Sequence, residues 1–370
     1  MSKTLISGMI VWLRDLGKKI GTFGLIVFVY ALYRASKRKS ARLRGNFTSS
    51  AKALRLEGVR NGGSLATLPH GYTHYKIEEA TDGGRTKNLV VLVHGFTGSS
   101  EYFEPIVSFL VNIKGRRVLT YDLFGRGHSE CRGADQTADL FASQLAGLLF
   151  HLGETRPIDL VGYSMGGIIA TRFAACWPQR VRSLILLAPA GLPSLRKQKF
   201  PGILDVVLSV PGVPELLGAS VVEKGCSRER YAKEWTNVTE SRFEEQFFSQ
   251  RRRMRTEPAL SRVVGSSLLH MPWGEMGPDL VSLRKHVSLP VIVVWGSEDG
   301  VVPVTGAKEI KSLLPRTLIR ILKDLGHAAP IEAAELVAYE AFAALESALA
   351  KEETPAAEDP SESASKMTSS

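Results

Sequence analysis

Residues 158–167 read Ile-Asp-Leu-Val-Gly-Tyr-Ser-Met-Gly-Gly. An apolar run ends in Gly162-Tyr163-Ser164-Met165-Gly166, and helix-forming residues follow at once. This is the pattern of a strand, a sharp turn and a helix, with Ser164 held on the turn at the carboxyl end of a sheet. Glycines stand at both ends of this segment because side chains there would collide as the backbone reverses. A Gly-x-Ser-x-Gly match recurs by chance, so its meaning depends on what the rest of the chain brings to it.

A serine hydroxyl is a weak nucleophile unless an oriented base accepts its proton. The apolar run 291–295 opens into Gly296-Ser297-Glu298-Asp299-Gly300, which sets a carboxylate in the loop after a buried strand. The run 318–322 leads to Lys323-Asp324-Leu325-Gly326-His327, which sets a histidine after the next one. Ser164, Asp299 and His327 are therefore the candidate nucleophile, orienting acid and base. Glu298 rivals Asp299, whose shorter side chain fits better in the turn before Gly300. Asp324 reads as a surface residue. Attack on a carbonyl creates an oxyanion that needs fixed donors. His94-Gly95-Phe96-Thr97-Gly98 follows the strand 89–93. Gly95 lets the backbone pass close to the serine, so the Phe96 amide is one candidate donor and the Met165 amide the other. His94 reads as a residue that shapes this loop. Residues 122–129, Asp-Leu-Phe-Gly-Arg-Gly-His-Ser, lack the spacing and following helix of a phosphate cradle and read as packing beside the site.

Outward from these motifs, short β-rich runs alternate with helical stretches. The strand candidates are 73–79, 89–93, 118–121, 158–161, 184–187, 291–295 and 318–322, and the helical candidates are 137–152, 166–176, 304–314 and 331–348. Several strands are continuously apolar, as central parallel strands covered on both faces must be. The expected class is α/β, with a mostly parallel central sheet covered by helices. The alternation breaks once, over 193–289, which is rich in Pro, Leu, Val and Met. An insertion this long in a compact fold carries structure of its own, and it reads as a helical cap over the carboxyl edge of the sheet. The expected organisation is an arm (1–56), a core (71–191 and 290–348), a cap (192–289) and a disordered tail (351–370).

The chain has 370 residues and a net charge of +10. Residues 1–56 hold twelve Lys or Arg and a single acid, Asp15, so this arm carries +11 and the remainder −1. A nucleic-acid enzyme would carry its positive charge on the folded body, so no nucleic-acid partner is expected. Leu5, Met9, Trp12, Leu16 and Ile20 recur at helical steps, with Lys3, Ser7, Arg14 and Lys18 opposite, as in a helix lying in a membrane interface. Residues 20–33 carry no charge but cover only about 21 Å as a helix, less than the hydrocarbon core. A single-pass anchor and an in-plane helix are both open. Arg34, Lys37, Arg38, Lys39, Arg42 and Arg44 follow and suit anionic headgroups. The excess of bases after the apolar run leaves the body on the cytosolic side. A mitochondrial transit sequence is the alternative reading of the arm. On the cytosolic reading, the sequons at Asn46 and Asn237 are chance matches. Cys131, Cys176 and Cys226 are widely spaced and imply neither a disulfide framework nor a metal site.

Taken together, His94-Gly95-Phe96, Asp122-x-x-Gly125-x-Gly127-x-Ser129, Gly162-Tyr163-Ser164-Met165-Gly166-Gly167, Gly296-x-x-Asp299 with Val302-Pro303, and Gly326-His327 resemble an α/β-hydrolase-fold serine hydrolase over about 71–348. The resemblance implies an α/β-hydrolase fold, catalysis by Ser164, Asp299 and His327, and no cofactor or metal. Within that superfamily the chain is similar to membrane-anchored monoacylglycerol-lipase-type hydrolases, which implies a lipid ester of monoacylglycerol or lysophospholipid type as substrate. The core motifs also resemble bacterial carbon–carbon bond hydrolases, which keeps carbon–carbon, thioester and small-ester substrates open. Epoxide hydrolases and haloalkane dehalogenases use an aspartate where Ser164 stands. Lysophospholipid acyltransferase-like members carry Asp five residues after the catalytic histidine, where this chain has Glu332. A non-catalytic scaffold is disfavoured because all three triad residues are present. The insertion's Phe200, Leu216, Leu217, Met271, Trp273 and Met276 suit an acyl-chain channel, or simply pack the cap. Oligomeric state is not indicated.

Overall fold

The computed structural model describes Val59 and residues 62–79, 88–193 and 258–353. The arm (1–56), residues 194–257 of the cap, Cys226 and both sequons lie outside the described residues, as does the tail beyond Glu353.

Eight strands form one sheet: β1 (Ser64–Leu68), β2 (Gly71–Glu78), β3 (Leu89–Val93), β4 (Arg117–Tyr121), β5 (Ile158–Tyr163), β6 (Val181–Leu187), β7 (Val291–Gly296) and β8 (Leu318–Leu322). Their order is β1-β2-β4-β3-β5-β6-β7-β8. β1 and β2 form an antiparallel hairpin, β2 runs antiparallel to β4, and every later pairing is parallel. Parallel neighbours need crossovers, and helices supply them: α1 (Glu104–Asn112), α2 (Ala138–His151), α3 (Met165–Cys176), then α4 (Pro258–His270) and α5 (Gly277–Ser282), then α6 (Gly306–Leu313); α7 (Ala329–Glu332) and α8 (Ala334–Glu353) follow β8.

The pleat splits the apolar strands between two cores. Leu89, Val91 and Val93 join a cluster with α2 and α3, while Val90 and Leu92 join another with α1 and α8. A strand buried on both faces favours apolar residues at every position, which accounts for the unbroken runs in β3 and β7; the exceptions in β5 and β6, Asp159, Arg182 and Ser183, bond to one another. Strand order reverses direction at β3, whose neighbours are β4 and β5. The carboxyl ends of β3 and β5 thus flank a topological switch point, where open α/β sheets bind ligands.

Every expected strand is present, with ends shifted by a few residues. β1 and α1 were not expected. β1 is a five-residue edge strand with mixed burial, so it carries little periodicity. The helix expected over 331–348 is instead two, because Ala333 leaves helical geometry (φ −131°, ψ 47°). α8 then runs on to Glu353, so the first residues assigned to the tail are helical. In the described part of the insertion, α4 and α5 are helical. Among the described residues, no helix is long and apolar enough to cross a membrane.

Candidate active site

Ser164 sits between β5 and α3 with φ 54° and ψ −118°, a conformation unfavourable for an L side chain. The turn is held from outside: Ser164 N donates to Leu187 O at 3.0 Å, and Ala190 N donates to Ser164 O at 3.0 Å. A Cβ on Gly166 would lie 2.1 Å from Val93 O, so only glycine lets α3 begin this close to β3. The strained turn therefore follows from tight packing of β5, α3 and β3 together.

His327, in the loop after β8, reaches across to this turn. Its Nε2 lies 3.1 Å from Ser164 Oγ, and its Nδ1 lies 2.8 Å from Asp299 Oδ2. Asp299 has a fully buried side chain. Its Oδ1 accepts from Val301 N at 2.9 Å and Val302 N at 2.8 Å, and its Oδ2 also accepts from Trp295 Nε1 at 3.1 Å. An ionised carboxylate only accepts, so the His327 proton sits on Nδ1 and Nε2 is left to accept from Ser164. Glu298 is exposed and bonds to Ser297 Oγ at 3.1 Å, away from the imidazole. Asp324 is exposed, as expected.

The loop after β3 meets the same turn. A Cβ on Gly95 would stand 3.2 Å from Ser164 Cβ, which brings the backbone just ahead of Phe96 against the serine. Met165 opens α3, so its amide belongs to the first turn and has no intrahelical acceptor. The partial positive charge of the helix start points the same way. His94 shapes the loop: Leu123 N donates to its Nε2 at 3.0 Å, and its Nδ1 lies 2.9 Å from Gly95 O. With both ring nitrogens committed to backbone, it is not available as a base.

The turn 122–129 packs beside the site. Buried Asp122 accepts from Ser100 N at 2.7 Å and His128 N at 2.9 Å and pairs with His74 Nδ1 at 2.8 Å. Burial opposes its ionisation most strongly of any single cause, but the His74 bond and charge, the His94 charge and the His128 amide together outweigh it and hold the carboxyl far below the usual range. Four further residues shape the site and were missed in the sequence. Tyr163 donates its hydroxyl to His327 O at 3.0 Å, Trp295 bonds Asp299, and Gln144 and Arg126 brace the loops around Phe96 and Phe124. Only Tyr163 and Trp295 carried a signal, as polar-tipped aromatics at the ends of apolar strands. Cys131 and Cys176 are free thiols. Among the described residues, no three His, Cys, Asp or Glu side chains gather to hold a metal ion.

A model of the alpha/beta hydrolase fold family matches residues 88–334. The chain belongs to that family. Like Ser164 in this chain, the serine of an alpha/beta hydrolase sits on the turn between a strand and a helix, and its acid and histidine follow in that order. The chain is similar to Lipase 3 of Moraxella sp. (strain TA144), at 26% identity over 278 residues spanning 72% of this chain and 81% of that protein. Lipase 1 of Psychrobacter immobilis is likewise 26% identical over 278 residues, 72% of this chain and 80% of that one. The solved thermophilic esterase of Thermogutta terrifontis superposes with a TM-score of 0.56 at 24% identity, covering 77% of this chain and 98% of that one. At that identity the likeness carries the fold.

Proposed function

We propose that this chain is a serine hydrolase that cleaves a carboxylic ester of a lipid, of monoacylglycerol or lysophospholipid type, through an acyl-enzyme on Ser164. The observation that carries the reading is the unbroken line from Ser164 Oγ to His327 Nε2 (3.1 Å) and from His327 Nδ1 to Asp299 Oδ2 (2.8 Å). His327 takes the hydroxyl proton as Oγ attacks the ester carbon, and Asp299 stabilises the imidazolium. The amides of Phe96 and Met165 receive the negative charge on the carbonyl oxygen. Collapse breaks the carbon–oxygen bond, His327 protonates the leaving alcohol, and the acyl group stays on Ser164. Water, deprotonated by His327, then releases the acid.

The lipid part of the reading is supported by similarity to two proteins named lipases and by an aromatic pair beside the Phe96 amide. The Phe96 and Trp273 rings meet edge to face with centroids 5.4 Å apart, an apolar wall for a hydrocarbon chain. The basic, amphipathic arm suits a membrane surface, with the body on the cytosolic side.

Ser164→Ala in purified protein is expected to abolish both fluorophosphonate labelling and ester turnover. Retained turnover would remove the mechanism. Monoacylglycerol, lysophospholipid, acyl-CoA and short nitrophenyl esters assayed side by side test the substrate class. Turnover of the short esters alone would reject the lipid assignment.

A further inference from the structure

Arg126 is a wholly buried cation, and its hydrogen-bond acceptors among the described residues are all neutral. Its Nε donates to Phe96 O at 2.6 Å, its Nη1 to Phe124 O at 3.3 Å and Gln136 Oε1 at 3.1 Å, and its Nη2 to Ser267 Oγ at 2.7 Å. The guanidinium also lies over the Phe141 ring, 5.2 Å from its centroid. Among the described residues, no carboxylate pairs with it. Burying an unpaired charge is costly, and stability alone would be served better by an apolar residue.

The contacts form a closed circuit. Arg126 holds the Phe96 carbonyl and the Ser267 hydroxyl. The Phe96 ring meets Trp273 edge to face, and Trp273 Nε1 donates back to Ser267 O at 2.9 Å. Ser267 lies on α4, and Trp273 follows that helix where the insertion returns to the sheet. A further bond from Gln136 N to Ser266 Oγ at 3.0 Å seats α4 on the same side. Phe96 is thus clamped at its carbonyl by Arg126 and at its ring by Trp273, and both clamps end on α4. The Phe96 N–H lies in one peptide plane with Gly95 O, which His94 Nδ1 holds at 2.9 Å, and the clamp on the Phe96 carbonyl and ring fixes its Cα on the other side, so the two together set the direction of the Phe96 N–H.

We propose that Arg126 is a positioning residue that makes the seating of α4 a condition for a competent oxyanion hole, an inference that rests on the reading of the Phe96 amide as a donor. With α4 seated, Ser267 and Trp273 hold Arg126 and Phe96, and the amide faces the carbonyl oxygen above Ser164. If α4 lifts, both clamps open and the donor turns away, while the Ser164–His327–Asp299 line stays intact. The fork-shaped guanidinium suits this role because it bonds several acceptors at fixed angles, which an ammonium does not.

The test uses the full-length protein with Ser267→Ala and Arg126→Lys. Hydrolysis of nitrophenyl butyrate is measured, together with inhibition by phenylboronic acid, whose serine adduct is a tetrahedral anion. Ser267→Ala is expected to lower kcat about 10-fold, a fraction of the roughly 100-fold loss from deleting a hole donor outright. KM is expected to stay within about twofold, boronate affinity to fall in step with kcat, and the pH profile to stay in place. Arg126→Lys is expected to lose more, about 100-fold. Folded variants with unchanged kcat and boronate affinity, or with a changed KM or melting temperature alone, overturn the inference. If Arg126→Lys does not fold, Ser267→Ala decides. Turnover that is lost in Ser164→Ala but untouched in Ser267→Ala sinks this inference alone. Turnover that survives Ser164→Ala overturns the proposed function and this inference with it.

Discussion

At the scale of single residues, the site depends on side chains whose hydrogen bonds leave them one role. Asp299 accepts from two amides, an indole and an imidazole, so its carboxylate is held in one orientation and the histidine in one tautomer. Asp122 does similar work one loop away, where its contacts with Ser100, His128 and His74 tie the β4 turn to the elements beside it. Its folded pKa lies below the unfolded value, so its stabilisation is complete above about pH 4 and is lost as pH falls below that. Asp122→Asn is therefore expected to cost about 3 kcal/mol near neutrality. The gap between variant and parent in urea unfolding is expected to narrow at about pH 3. An equal gap at both pH values would show that the carboxylate charge is not the stabilising feature. The geometry separates residues that the spacing alone left as rivals. Asp299 and Glu298 are neighbours in the chain, yet one is buried against His327 and the other exposed.

At the scale of elements, the strands were legible because double burial favours apolar residues at every position; β3 and β7 meet that demand without a break, and β5 and β6 depart from it only at Asp159, Arg182 and Ser183. Helix ends were less legible, because capping is local and weak. α2 starts at Thr137, which has extended geometry and whose side-chain oxygen accepts from Leu140 N at 3.1 Å. That helix carries Gln144, which accepts from Phe124 N at 3.0 Å and donates to Asp122 O at 3.0 Å, so its cap bears on the turn beside the site. Thr137→Ala is expected to destabilise the protein by about 1 kcal/mol, with Thr137→Ser close to parent, as read by denaturant midpoints. Equal midpoints in all three proteins would mean that the cap bond contributes nothing. β1 and α1 escaped notice for related reasons. The first is short and half-exposed, and the second is nine residues long with an ordinary composition.

At the scale of the whole molecule, a nearly neutral body joins an arm that carries almost all the net charge. On the proposed reading the arm holds the body at a lipid surface on the cytosolic side. Protease added to sealed membranes is then expected to digest the body when it faces outward from cytosol-side-out vesicles, and a protected body would overturn that topology. The chain by itself determined the class of fold, the order Ser164, Asp299, His327 and the segregation of charge. Those features are written locally, as unbroken apolar runs, glycines around a turn and polar residues at strand ends. Only the tertiary structure decided which acid serves His327, that His94 is committed to backbone, and that Arg126 links Phe96 to Ser267. His327 and Ser164 stand 163 positions apart, and Arg126 and Ser267 stand 141 apart. Contacts over such separations are set by the order and register of the strands, which no local pattern encodes.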